Sequence, residues 1–227
     1  MAQFWWVIYP YLTLVVMIVG TIYRYKSDQR GWGSKSSEFL EKRLLRWGSL
    51  FFHWGILFVI GGHVIGLLVP VQVFEAFGIQ RETYHLTADI FGGLAGMATL
   101  IGVFILLIRR VSSPSVRRTS NSADFVALVL LLVVIALGDM QTVYANNVFG
   151  PFGYRHTVAP WLRGVLSFHT NANLMETVPM LLQVHIILSF ALFAVSPFTR
   201  LVHVWSAPLR YPTRAPLQYR SRTRYRR

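Results

Sequence analysis

The chain reads as an all-α integral membrane bundle of five transmembrane helices, with its N-terminus outside and its C-terminus in the cytoplasm. Three observations lead there. Apolar residues make up 54% of the 227 and gather into five runs, roughly 4–23, 50–69, 87–108, 123–144 and 178–203. About 20 apolar residues at 1.5 Å rise cross the hydrocarbon of a bilayer, so each run is long enough to span it. The basic residues lie almost wholly in the segments that share one side of such a bundle. Finally, two of the runs each carry two histidines, a costly residue to leave unpaired in lipid.

Taken in order, the first run lacks a basic leader and reaches Arg24-Tyr25-Lys26 without a small-residue cleavage site, so it reads as a retained span and not a signal peptide. Between the first two runs, Phe39, Leu40, Leu44, Leu45 and Trp47 fall near one helical face, with Glu41, Lys42, Arg43 and Arg46 among the other positions. That spacing predicts a short interfacial helix over 37–47. The second run carries His53 and His63, the latter preceded by Gly61-Gly62. In the third, Gly92, Gly93, Gly96 and Gly102 permit close approach of a neighbouring helix or of a flat cofactor. Asp89, near its outer end, reads as the only acidic residue clearly inside a span boundary, either capping a neighbour or carrying protons. Asn121 and Asp124 offer N-caps for the fourth span. Segment 146–177, with Gly150-Pro151, Gly153 and Pro160, reads as an outer cap with a short interfacial helix. The fifth run holds His185 and His203, with Ser196-Pro197 between them. Without repeats or low-complexity linkers, residues 1–227 form a single domain, ending in a basic cytoplasmic tail over 206–227.

The net charge of +13 could suggest nucleic acid, but its placement argues against it. Lys26, Arg30, Lys35, Lys42, Arg43, Arg46, Arg109, Arg110, Arg117, Arg118 and the tail arginines from Arg210 to Arg227 all fall on one side. The other side has Arg81, Arg155 and Arg163, beside Glu75, Glu82, Asp139 and Glu176. Positive loops stay in the cytoplasm. The basic tail then anchors the chain to anionic lipid or docks a partner. With no cysteine, disulfides, thiolate nucleophiles and iron–sulfur clusters on this chain are excluded.

The four span histidines suggest two metal centres stacked across the membrane. His53 and His63 are ten residues apart, roughly 15 Å along a helix axis and about 80° apart in azimuth. His185 and His203 are eighteen apart, five turns, so on a straight helix they share a face at roughly 27 Å. Strong tilt, oblique macrocycles and a proline break at Ser196-Pro197 are all expected to contribute to absorbing that mismatch. The two spans run antiparallel, so the inner site takes His53 and His203 and the outer takes His63 and His185. Zinc favours four ligands; a bis-histidine b-type haem needs only two. Arg200, three residues before His203, and Arg110 are candidates to hold a haem propionate. A proton-conducting transporter or structural anchor is the alternative class; it would show broken or repeated spans.

On these residues the chain resembles a known family. Phe52-His53-Trp54-Gly55-Ile56-Leu57 through Gly62-His63, Ser113-Pro114-Ser115-Val116-Arg117-Arg118-Thr119 with Ala123-Asp124, and Pro197-Phe198-Thr199-Arg200-Leu201-Val202-His203-Val204-Trp205-Ser206-Ala207-Pro208 are similar to the gamma subunit of respiratory nitrate reductase. The resemblance runs from Tyr9-Pro10 to the region of Arg214, and the histidine spacings match. It implies a five-span di-haem cytochrome b of the cell membrane, with two b-type haems on His53, His63, His185 and His203. It implies a subunit that oxidises quinol near the outer haem and passes electrons to an iron–sulfur beta subunit. That subunit feeds a molybdenum-containing alpha subunit, where nitrate is reduced. The family's quinol site uses a basic residue at the outer start of the third span; here Arg81-Glu82-Thr83-Tyr84-His85-Leu86 lacks the lysine of some members, and His85 is the substitute as proton acceptor. A related di-haem subunit of a sulfite- or heterodisulfide-type reductase, or of a nitrite oxidoreductase, would keep the same fold and ligands.

Overall fold

The structure is a computed structural model that describes residues 1–28 and 37–206. Arg30, Lys35 and the tail beyond Ser206 therefore lie outside the described residues. Five helices are long and apolar enough to cross a membrane: Phe4–Ser27, Arg43–Leu68, Arg81–Ser112, Ser122–Phe149 and Met180–Phe198. No strand occurs among the described residues. The spans alternate in direction, so the first residues and the C-terminal segment lie at opposite ends, here the N-side and the C-side. Large apolar side chains such as Ile18, Val19, Leu57, Phe58, Phe91 and Leu94 point outward uncovered. Faces of that extent need a lipid environment.

The second and third spans pack tightly because glycine removes the side chain at two crossing points. A Cβ on Gly55 would meet the Thr99 backbone nitrogen at 2.7 Å, and one on Gly102 would meet the Phe52 Cα at 2.7 Å. The third helix covers 32 residues, roughly 48 Å at 1.5 Å rise, longer than a hydrocarbon core. Its ends project beyond it and organise the caps. At the C-side, buried Arg109 donates from Nε to Glu41 Oε2 at 2.8 Å and from Nη2 to the carbonyls of Ser37 and Glu41. Glu41 in turn accepts the Leu44 N–H at 2.9 Å, capping the second span. The separate interfacial helix expected over 37–47 is thus corrected. Residues 38–40 form a turn, and from Arg43 the chain is already the second span, because the glutamate cap and arginine clamp start that helix early.

The fourth span begins as read from sequence: Asn121 and Asp124 form a reciprocal capping box. The N-side cap also forms, with a helix at Val158–Leu166. Trp161 seals it to the first span, donating from Nε1 to the Trp6 carbonyl at 2.9 Å with the two rings edge-on. Val158, Val165, Met175, Ile186 and Phe190 complete that buried cluster. Val103, Leu131 and Ile135 form a second cluster deeper in the bundle.

The fifth helix does not continue to His203. Its α-helical part ends at Val195; a 3₁₀ turn at Ser196–Phe198 follows, then extended Thr199 and a second 3₁₀ segment at Arg200–Ser206. Pro197 has no N–H to give and its ring obstructs the preceding turn. Arg24 donates from Nη1 to the Pro197 carbonyl at 2.5 Å and the Thr199 carbonyl at 2.8 Å, satisfying oxygens left by the break. Gly20 of the first span makes room for the Pro197 and Phe198 rings.

Candidate functional site

The four span histidines meet in two pairs. The His53 and His203 ring centroids lie 6.2 Å apart at an interplanar angle of 63°. Those of His63 and His185 lie 6.3 Å apart at 27°. The expectation that His185 and His203 share one face of a single helix is corrected. Once the α-helix stops at Val195, the intervening residues no longer follow its axis, and the 15 Å offset of the second span is met. The proline break accounts for the mismatch that sequence spacing alone left open.

Both separations suit a metal ion between the rings. Imidazole nitrogens bind a transition metal at roughly 2.0 Å, which sets two opposed ring centroids about 6 Å apart. The tautomers are set as well. His53 Nδ1 lies 2.8 Å from the Ser49 carbonyl, His63 Nδ1 2.7 Å from that of Val59, His185 Nδ1 3.0 Å from that of Val134 and His203 Nδ1 2.5 Å from that of Arg200. A carbonyl only accepts, so each Nδ1 carries the proton and each Nε2 carries the lone pair a metal requires. Around Gly61 and Gly62 no atom lies within 4 Å of a built Cβ, which leaves space beside His63. Among the described residues no group of three or more His, Cys, Asp or Glu side chains could hold a metal, so a zinc site has too few donors. A bis-histidine haem fits the donor set.

At the C-side, the two arginines read as propionate partners converge on one carboxylate. Arg110 Nη1 reaches Asp124 Oδ2 at 2.9 Å and the Ser120 hydroxyl at 2.6 Å. Arg200 engages Asp124 through Nε to Oδ1 and through Nη2 to Oδ2, the latter at 2.9 Å. Among the described residues, buried Arg110 Nε has no hydrogen-bond partner. That N–H is left to bind a further anion. Sequence reading recognised Asp124 as a cap but missed this second role; an acid just inside a span opposite arginines was the available signal.

At the N-side, His85 is buried edge-on to Tyr84 and Tyr154. The tyrosine hydroxyls are 2.9 Å apart, and burial, reinforced by that bond, raises the Tyr154 phenol above its ordinary range. Arg155 stacks over Tyr84 at 4.0 Å and Phe74 at 4.5 Å. His85 opens onto a cavity of about 60 Å³ shared with Glu75, Arg81, Arg155 and His156. That volume admits a few waters beside His85. Asp89 accepts from the Asn146 side-chain amide at 2.8 Å, joining the third and fourth spans.

Asp139 is a correction. Sequence reading placed it at the outer side, yet the fourth span runs on to Phe149 through a π-helical stretch at Met140–Ala145. The carboxylate is consequently buried within the helix bundle, against Gly96.

Comparison with known proteins agrees with this architecture. A family model described as nitrate reductase gamma subunit matches residues 2–222. The chain is 45% identical over 221 residues to the nitrate reductase gamma chain of Bacillus subtilis (strain 168), covering 97% of this chain and 99% of that one. It is 40% identical over 223 residues to the nitrate reductase-like protein NarX of Mycobacterium tuberculosis, covering 98% of this chain but 34% of that longer one. It is 35% identical over 220 residues to the respiratory nitrate reductase 1 gamma chain of Escherichia coli (strain K12), covering 93% and 94%. Five apolar helices together with this kinship make it a multi-pass membrane protein, and the chain belongs to the nitrate reductase gamma subunit family.

Proposed function

We propose that this chain is the membrane electron-transfer subunit of a nitrate reductase complex, holding two b-type haems between its second span and the fifth span with the 3₁₀ segment that follows it. His53 and His203 hold one at the C-side, and His63 and His185 hold the other at the N-side. The observation that carries this reading is the pair of imidazole gaps of 6.2 and 6.3 Å, with every Nδ1 tied to a carbonyl. Bis-histidine haems supply one-electron redox chemistry. Arg110, through its remaining Nε–H, and Arg200 hold a propionate.

The basic loops orient the molecule with its C-side in the cytoplasm and its N-side outside. Quinol is then oxidised near the outer pair, and electrons pass inward to an iron–sulfur beta subunit and on to a molybdenum alpha subunit that reduces nitrate. This chain does not itself reduce nitrate. Residues 1–227 act as one membrane domain, with 206–227 as a basic cytoplasmic tail. At the outer side His85 accepts a quinol proton through the water-sized cavity it shares with Arg155 and Glu75. Electrons moving inward while protons leave outward separate charge across the bilayer.

Reduced-minus-oxidised spectra of the purified complex, with haem quantitation and subunit identification, test this. His63→Ala or His185→Ala removes about half the haem, the quinol-proximal half; His53→Ala or His203→Ala removes the other. A crossed pattern, or a wild-type complex without b-type bands, refutes the assignment. Large subunits of another reductase class would reassign the complex while leaving the haem sites in place. Quinol-driven haem reduction that persists unchanged in His85→Ala removes His85 from the mechanism.

A further inference from the structure

Asp139 is 8% exposed, and its Oδ2 is fully buried without a hydrogen-bond partner among the described residues. An ionisable side chain in that position within a span is costly and calls for a reason. The residue just before it, Gly138, lies against the ring of His185; a built Cβ there is 3.1 Å from Cε1. The carboxylate itself presses on Gly96 of the third span so closely that no Cβ fits. Immediately beyond it the fourth span widens into the π-helical stretch Met140–Ala145. Such bulges often mark functional sites. From there polar groups continue to the N-side end. Gln141, whose Oε1 is also buried without a partner among the described residues, donates from Nε2 to Asn146 Oδ1 at 3.3 Å. Asn146 donates in turn to Asp89 Oδ1 at 2.8 Å.

We propose that Asp139 is the proton-holding group of the His63–His185 pair, exchanging protons with the N-side surface along the seam of Gln141, Asn146 and Asp89. The proposal rests on that pair holding a haem. Arrival of one electron makes the neighbourhood of His185 one unit more negative, and the carboxylate answers by taking one proton to become the neutral acid. When the electron moves on, the acid returns that proton. Other titratable groups of the packed elements are few. The third span brings Asp89 and, further toward the N-side, His85, Tyr84, Glu82 and Arg81; the fifth brings His185 alone between Met180 and Val195.

The test is a potentiometric titration of the two haems in the intact complex at several pH values, joined to redox difference infrared spectra. In the wild type the midpoint of the haem on His63 and His185 falls with pH by up to tenfold in the reduction equilibrium per pH unit, about 59 mV for one electron. A carboxyl C=O band appears on its reduction. Asp139→Asn abolishes both the slope and the band, Asp139→Glu keeps the slope, and Asp89→Asn keeps both. A wild-type midpoint flat with pH overturns the proposal even if Asp139→Asn fails to assemble. So does a slope that survives in Asp139→Asn, or one lost in Asp89→Asn but kept in Asp139→Asn. In those cases the haem is present and the proposed function stands; absence of any haem lost with His63 or His185 would sink both.

Discussion

Two acidic side chains decide how the C-side ends are held. Asp124 carries Arg110 and Arg200 while capping its own helix, and its side chain is almost wholly buried. Removing one partner of a buried ion pair leaves the others uncompensated and costs about 3–5 kcal/mol. Asp124→Asn still accepts the Asn121 N–H, so it isolates the charge. It should lower the thermal midpoint of the detergent-solubilised complex and weaken the haem lost with His53, while sparing the other. Glu41 behaves differently. Burial alone would raise its carboxyl, but hydrogen bonds from the Leu44 backbone and Arg109 outweigh that and hold it below its ordinary range. A depressed folded value means that its contribution is present above the unfolded carboxylate range, near 4.3, and is lost as pH falls through the folded value. Thermal midpoints measured from about pH 6 down to pH 4 should drop less steeply in Glu41→Gln than in the wild type.

At the scale of elements, both histidines of the second span ride on one rigid rod set by glycine contacts. Gly102→Ala places a methyl 2.7 Å from the Phe52 Cα, so the rod must move away from the third span. Haem content should then fall at both sites together, unlike any single histidine change. A loss confined to one haem in a pigment assay would contradict this coupling. The spans and the histidine clusters were legible in the sequence because length, hydropathy and spacing are properties of one chain segment. The direction change after Val195 was only half legible: Pro197 announced a break, but where His203 would go depended on Arg24, 173 residues away, binding its carbonyl. Asp139 was misplaced although it falls inside the fourth apolar run, because composition does not show that its carboxylate packs on Gly96 of the third span. That Arg110 and Arg200 both turn to Asp124 was legible only as an acid just inside a span opposite arginines. Charge says what a guanidinium seeks, while only packing says which carboxylate arrives.

Across the whole molecule, the strongest asymmetry is electrostatic. Arg109, Arg110, Arg117 and Arg118 gather at the C-side, opposite the Trp161 cap. The chain contains no native cysteine, so single introduced thiols report sidedness cleanly. A thiol-reactive, membrane-impermeant dye should label Ser167→Cys in intact cells and Ser115→Cys only after permeabilisation; both positions are exposed. The reverse pattern would invert the direction proposed for electron flow.

Three of the four imidazoles fasten Nδ1 to a carbonyl of the backbone stretch that bears them, at Ser49, Val59 and Arg200. The exception is His185, whose anchor is Val134 on the fourth span. Sliding those two rods past each other by a fraction of a turn would swivel only this ring. With the His63–His185 pair holding a haem as proposed, a shift in the packing of those two helices should move that haem's potential and leave the His53–His203 site unchanged.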